Sequence, residues 1–150
     1  MASYKGHTLV GIIAVVLFFG VLTYIFSYHL DWRDIPVFVI IGILGALFPD
    51  VDTNSRGQDI FYTIFFGLDI VLITLKRYDY AAFLGLLAIL PVLGKHRGWT
   101  HTWWAMIIVP LPIIILPVFF FRAEPAHLVP YYACAVTGYF SHLLLDWKFR

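Results

Sequence analysis

The stretch GYFSHLLLDW, Gly138 to Trp147, closes a long apolar segment and carries two ionisable side chains within it. His142 and Asp146 stand four residues apart, which on a helix stacks them on one face about a turn from each other. An imidazole and a carboxylate so placed can share one metal ion. They can also form a purely structural contact, with the aspartate holding the ring. Ionisable groups at membrane depth cost roughly 2.5–3.5 kcal/mol each on insertion scales, so they tend to mark function.

The rest of the chain places this stretch in a membrane. Of 150 residues, 61% are hydrophobic, 19% aromatic and only 13% charged, and the mean hydropathy is +0.87. That is far more apolar than a soluble domain of this size. The formal net charge is +1 and the basic residues are scattered among loops, so nucleic acid is not an expected partner. The single cysteine, Cys134, falls inside the last apolar segment, where it reads as a small packing residue. The uncharged run from Thr8 to Tyr28 is long enough to span hydrocarbon and has no convincing cleavage site, so it reads as a first transmembrane helix rather than a signal peptide.

The expected architecture is an all-α integral membrane protein. It is a single domain over residues 1–150, a bundle of about six transmembrane helices with a metal site at one membrane face. Apolar runs and turn signals place the helices at about His7–Tyr28, Ile35–Phe48, Ile60–Leu75, Ala81–Leu93, His101–Phe121 and His127–Trp147. The second is short for a full span. Lys76, Arg77 and Asp79 read as a tight turn, and Glu124, Pro125 and Ala126 as another. Pro110, Pro112 and Pro117 should bend or partly break the fifth helix. Trp32, Trp99, Trp103, Trp104 and Trp147 all fall near segment ends, as interfacial anchors do.

Six crossings put the N-terminus, the loop after Phe48, the loop before the fifth helix and the C-terminus on one side. His7, Asp50, Asp52, His96, His101, His142 and Asp146 then share one depth, whereas His29 and His127 fall on the other side. Seven candidate ligands from four parts of the chain converge. Lys5, Arg56, Lys95, Arg97, Lys148 and Arg150 lie on the same side, against Arg33, Lys76, Arg77 and Arg122 opposite. The positive-inside rule makes the site side cytoplasmic.

Each motif has a chemistry and a plainer alternative. In PDVD, an extended backbone points Asp50 and Asp52 to one side, where they can flank cations; a solvated, capping loop is the alternative. In HRGWTH, His96 and His101 lie about 140° apart on a continuous helix, and Gly98 allows a turn that brings them together. Thr100 reads as the N-cap of the fifth helix. His7 supplies one further nitrogen or is an interfacial histidine. Imidazole and carboxylate ligands suit zinc, and also manganese or iron. Seven ligands exceed the needs of one tetrahedral ion, and two ions bridged by an aspartate would use them. Such ions activate water and neutralise a phosphoryl oxygen. Asp52 is either a ligand or a general base. Arg97 either clamps phosphate or serves topology. Asp69, at mid-span of the third helix, has no evident partner and stays outside the site.

Four blocks, GH at Gly6 and His7, LFPDVD at Leu47 to Asp52, HRGWTH at His96 to His101 and GYFSHLLLD at Gly138 to Asp146, resemble the bacterial inner-membrane metal-dependent hydrolases of the YdjM and YbcI type. They occur in family order and span nearly the whole chain. The resemblance implies a multi-pass protein of the bacterial inner membrane and a divalent-metal hydrolase. Its HxxxD element is similar to that of the all-helical zinc-dependent phospholipase C enzymes. From that similarity come metal-ligand roles for His142 and Asp146, and for Asp50, His96 and His101. The link between Asp52 and His96 is longer than in compact members, and the chain stops soon after HxxxD. The expected function is hydrolysis of a phosphoester or phosphoanhydride in a lipid, using one or two zinc ions. The alternatives are a metal-binding or metal-transporting protein without hydrolysis and a structural or lipid-binding protein. Membrane lipid is the environment and a possible substrate.

Overall fold

The computed structural model describes residues 4–26, 29, 31–51, 55–93 and 99–148. Regular structure among them is helical throughout: α1 (Tyr4–Phe26), α2 (Ile35–Leu47), a 3₁₀ turn (Phe48–Asp50), α3 (Arg56–Thr74), α4 (Tyr78–Leu93), α5 (Trp103–Ile108), α6 (Pro112–Phe121) and α7 (Pro125–Lys148). Gly6–Ile25, Arg56–Thr74, Trp103–Phe121 and Pro125–Asp146 are long and apolar enough to cross a membrane, while the helices at Ile35–Asp50 and Tyr78–Ile89 are apolar but shorter. Leu17, Tyr24, Phe66 and Phe119 are exposed on outer faces, as side chains meeting lipid would be.

Local chemistry explains where helices start and stop. Ser55 adopts an extended conformation and its Oγ accepts from the Gln58 amide at 3.2 Å. This N-cap starts α3 at Arg56, so part of the polar run expected to be loop is helix. Lys76, at φ 57°, takes the left-handed conformation just past α3, a common way to end a helix. Asp79, expected in that turn, lies instead in the first turn of α4, where the helix dipole favours a carboxylate. Pro125 and Ala126 likewise open α7 rather than the preceding turn.

The expected fifth helix divides into α5 and α6 around Val109–Leu111. Pro110 cannot donate to the carbonyl a turn earlier and its ring crowds it, so the ladder stops there. Pro117 and Pro130 stay inside continuous helices. The expected cap at Thr100 is also corrected. Thr102 is the N-cap of α5, its side chain accepting from the Ala105 amide at 3.4 Å, while Thr100 is fully buried two residues earlier.

Helix α7 is the hub, packing most extensively along α2 and α1 and also touching α5, α6 and the 3₁₀ turn. Glycines set this closeness. A Cβ added at Gly138 would lie 2.1 Å from the Gly42 carbonyl oxygen, and one at Gly45 would lie 2.4 Å from that of Ala135. Backbones of α2 and α7 therefore touch, as small residues allow in helices without a hydrophobic driving force between them. Val15, Phe19, Phe38 and Cys134 form one buried cluster of the α1–α2–α7 unit. The Cys134 thiol donates to the Phe38 carbonyl at 2.9 Å. Phe48, Val51, Phe61, Ala105, Met106, Tyr139 and Leu143 form a second, around the 3₁₀ turn and the start of α5. Helices α3 and α4 pack chiefly on each other.

Candidate metal centre

Three helices and one loop bring five ionisable side chains together. His7 comes from the first turns of α1, Asp50 from the 3₁₀ turn after α2, His101 from the turn before α5, and His142 and Asp146 from the last turns of α7. Asp50, His101, His142 and Asp146 each present one ligand atom, and these atoms all lie within 4.8 Å of one another. His101 Nε2 is 3.7 Å from Asp50 Oδ1 and 3.3 Å from Asp146 Oδ2. His142 Nε2 is 3.7 Å from Asp50 Oδ1 and 3.5 Å from Asp146 Oδ2.

Those separations sit at or beyond the long end of the hydrogen-bond range. They fit a different relation. Ligands about 2.1 Å from a tetrahedral zinc stand about 3.4 Å from each other. All four imidazole-to-carboxylate edges lie within a few tenths of an ångström of that value.

The state of His142 sharpens the fit. Its ring is fully buried, and Nδ1 lies 2.7 Å from the Ala46 carbonyl oxygen. A carbonyl only accepts, so Nδ1 carries a proton. In the neutral ring Nε2 then holds a lone pair. That atom is buried with no hydrogen-bond partner, and it faces two carboxylates. An acceptor aimed at anions is destabilising unless a cation stands between them. A metal-bound histidine that donates its other N–H to a backbone carbonyl is the usual supporting arrangement.

The loop carrying His101 is pinned from beneath. The Tyr139 hydroxyl donates to the Thr100 carbonyl, and the Thr100 hydroxyl lies 3.2 Å from His101 Nδ1. Tyr139 is fully buried one turn before His142, so α7 positions the loop as well as its own two candidate ligands. The centre is asymmetric in access. His142 is wholly covered, whereas the Asp50 and Asp146 side chains are 23% and 21% exposed.

His7 is buried beside this group, its ring stacked on His142 with centroids 3.9 Å apart and planes 18° from parallel. Its Nε2 faces Asp146 Oδ1 at 3.8 Å, the oxygen not turned towards His101 and His142. Asp52, His96 and Arg97, three of the residues singled out in the sequence, lie outside the described residues. His29 is exposed, and His127 pairs with Glu124 at 3.2 Å in an exposed contact away from the cluster. Asp69 lines a separate cavity of about 680 Å³ with Asp59, Thr63, Phe66 and Gly85, between α3 and α4. Its Oδ1 is buried without a hydrogen-bond partner.

The supporting groups, the Ala46 carbonyl and the Tyr139–Thr100 link, went unread in the sequence. A backbone carbonyl has no residue signature, but the small pair Gly45 and Ala46 just before the PDVD block was a usable sign of close approach. No curated protein and no solved structure matches the chain. The family described as YdjM inner membrane protein matches residues 1–149, and the chain belongs to that family.

Proposed function

We propose that the chain is a membrane-embedded, divalent-metal-dependent hydrolase that cleaves a phosphoester or phosphoanhydride of a lipid. On this reading it is one domain crossing the bilayer about six times, with its metal centre at the cytoplasmic face. The observation that carries the proposal is the buried His142 Nε2, which faces two carboxylates at the edge length of a tetrahedral ion. Mixed imidazole and carboxylate ligands favour zinc, with manganese and iron as alternatives.

A divalent ion held there would acidify water and withdraw charge from a phosphoryl oxygen. The chain's own residues supply the rest. His142 holds its tautomer through the Ala46 carbonyl. His101 is set by the Thr100 turn, and the two partly exposed carboxylates form the side open to substrate. Ligands at the ends of apolar helices meet a headgroup without drawing the lipid from the bilayer, which favours a lipid over a soluble phosphate ester. The test is phosphate or headgroup release from a panel of phospholipids and polyprenyl phosphates by metal-loaded protein. Turnover lost in His142→Ala supports the reading. No turnover on the whole panel, with His142→Ala indistinguishable from wild type, would sink it.

Asp69 favours a second reading, a metal transporter without hydrolysis. A carboxylate inside an apolar span that lines an open cavity suits a cation route. Metal uptake into proteoliposomes that is lost in Asp69→Asn, without lipid turnover, would select it.

A further inference from the structure

We infer that an apolar cavity along α2 seats one hydrocarbon chain of the lipid whose headgroup lies at the candidate metal centre. The inference rests on the lipid reading above and adds where that lipid's chain goes and which helices select it.

The cavity has a volume of about 360 Å³ and is walled by α2, α3, α4 and α7 and by the break between α5 and α6. Its α2 wall is the stripe Val37, Ile40, Leu44 and Phe48, spaced to share one helix face. From Val37 to Phe48 that stripe rises about 16 Å at the helical 1.5 Å per residue. One leaflet of hydrocarbon is about 15 Å deep, half of the whole core. Because α2 packs along α7, a helix long enough to cross the bilayer, the stripe follows the lie of a lipid chain through about one leaflet. One end of the cavity reaches the centre: Phe48 stands two residues before Asp50, and Tyr139 one turn before His142. At the other end Val37 and Ile40 are 44% and 37% exposed, which opens the cavity towards lipid.

The lining chemistry decides the occupant. Every lining side chain is hydrocarbon except Tyr139, whose hydroxyl is given to the Thr100 carbonyl. No side chain there would hold water or a polar headgroup, and dry apolar cavities take apolar ligands. The volume lies near the lower end for ligand cavities, about 300–1,000 Å³, which suits one chain rather than two. Two features of the fold leave the space. The helix breaks at Val109–Leu111, and Val109, Pro110 and Pro112 line the cavity at that break. Helices α3 and α4 pack chiefly on each other, so Phe65, Leu68, Leu84 and Leu87 face the cavity instead of closing on α2. That hairpin belongs to the long link between Asp52 and His96, so the chain seat is built outside the four motif blocks on its α3 and α4 side.

Photolabelling of zinc-loaded full-length protein in bilayers tests the seat, with phosphatidic acid carrying a diazirine midway along one acyl chain as the probe. Irradiation on ice, before turnover, is followed by peptide mapping. Adducts should fall on Phe65, Leu68, Leu84 and Leu87 in the cavity, as well as on outward-facing Leu17 and Phe119. Leu84→Trp fills the cavity and should lose the cavity adducts while keeping the outer ones. Ile113→Trp fills it from α6 and serves as the second variant; if neither folds, the wild-type map alone decides. His142→Ala should lose cavity adducts too, because a headgroup no longer held at the centre lets its chain leave. Adducts confined to the outer faces would overturn the inference. So would cavity adducts that survive filling, or that are as abundant in His142→Ala as in wild type. Labelling needs no turnover, so the two readings fail separately. Cavity adducts lost in both variants, from a protein that releases phosphate from no lipid, would leave the chain seat standing and sink the hydrolase.

Discussion

Gly138→Ala is the most informative single perturbation, because it adds one methyl group on the α2–α7 contact, a helical turn before His142, and should still dismantle the centre. The new Cβ would sit 2.1 Å from the Gly42 carbonyl oxygen, whereas real Cβ contacts essentially never fall below 3.0 Å. The obstacle is backbone and cannot rotate away, so α2 and α7 must part by about 1 Å. Asp50 follows α2, and His142 and Asp146 ride on α7. The 3.7 Å edge between His142 and Asp50 would open accordingly, beyond the reach of one ion. The parting would also stretch the 2.7 Å contact between His142 Nδ1 and the Ala46 carbonyl. Overpacking of this kind costs about 1–3 kcal/mol. Loss of a supporting hydrogen bond to a ligand lowers metal affinity on the order of 10- to 100-fold. Melting in detergent and metal titration read both effects. Gly67→Ala and Gly85→Ala are the controls, since an added Cβ there meets nothing within 4 Å. They should leave metal binding alone and stabilise their helices by up to about 1 kcal/mol. Gly138→Ala with wild-type melting and wild-type affinity would refute the claim that backbone contact sets the site.

Removing His142 should abolish metal uptake, whereas His127→Ala should leave it intact, because His127 meets only Glu124 in an exposed contact; metal analysis of the purified variants checks both. Metal retention should fall as the pH is lowered, because protons compete with the ion for the imidazole nitrogens, and it should recover on return to neutral pH; equilibrium dialysis over a pH series reads it. Asp69→Leu should raise thermal stability by about 1–3 kcal/mol, by removing from an apolar span a carboxyl group whose buried Oδ1 has no hydrogen-bond partner among the described residues, and leave metal content unchanged. Thr102→Ala removes the N-cap of α5 and should cost about 1 kcal/mol in melting experiments.

What could be read from the sequence was what is periodic or local. Apolar runs located the helices, and counting crossings put His7, Asp50, Asp52, His96, His101, His142 and Asp146 at one depth; the structure brings five of them together, and Asp52 and His96 lie outside the described residues. The four-residue spacing of His142 and Asp146 is a property of any helix. The errors fell where competing local signals are a residue or two apart. Thr100 and Thr102 are equally good capping residues on paper. Burial decides between them, because Thr100 is needed under His101 and its carbonyl receives Tyr139. Proline alone does not announce a break either. Pro110 and Pro112 together interrupt the ladder, while Pro117 and Pro130 are accommodated inside α6 and α7. Contacts such as that of His142 with Ala46, separated by 96 residues, require the packing of α2 on α7 and have no local signature.

The same packing accounts for the division of labour within the centre. Glycine contacts draw α2 and α7 close enough that the last turns of α7 meet the turn following α2. His7 and His142 enter from the covered side, where a ring can be locked by a carbonyl or by stacking, and both are almost wholly removed from solvent, whereas His101 is 20% exposed. The carboxylates enter from the rim, where about a fifth of each remains open. A carboxylate left partly solvated loses less hydration than one wholly buried, and a neutral imidazole tolerates burial, so the two fully covered positions of the cluster are held by His7 and His142, while Asp50, Asp146 and His101 stand at its rim. An ion bound between them would be gripped by nitrogen from beneath and approached from the carboxylate side. That side lies at the ends of apolar helices, where the polar part of a lipid would arrive.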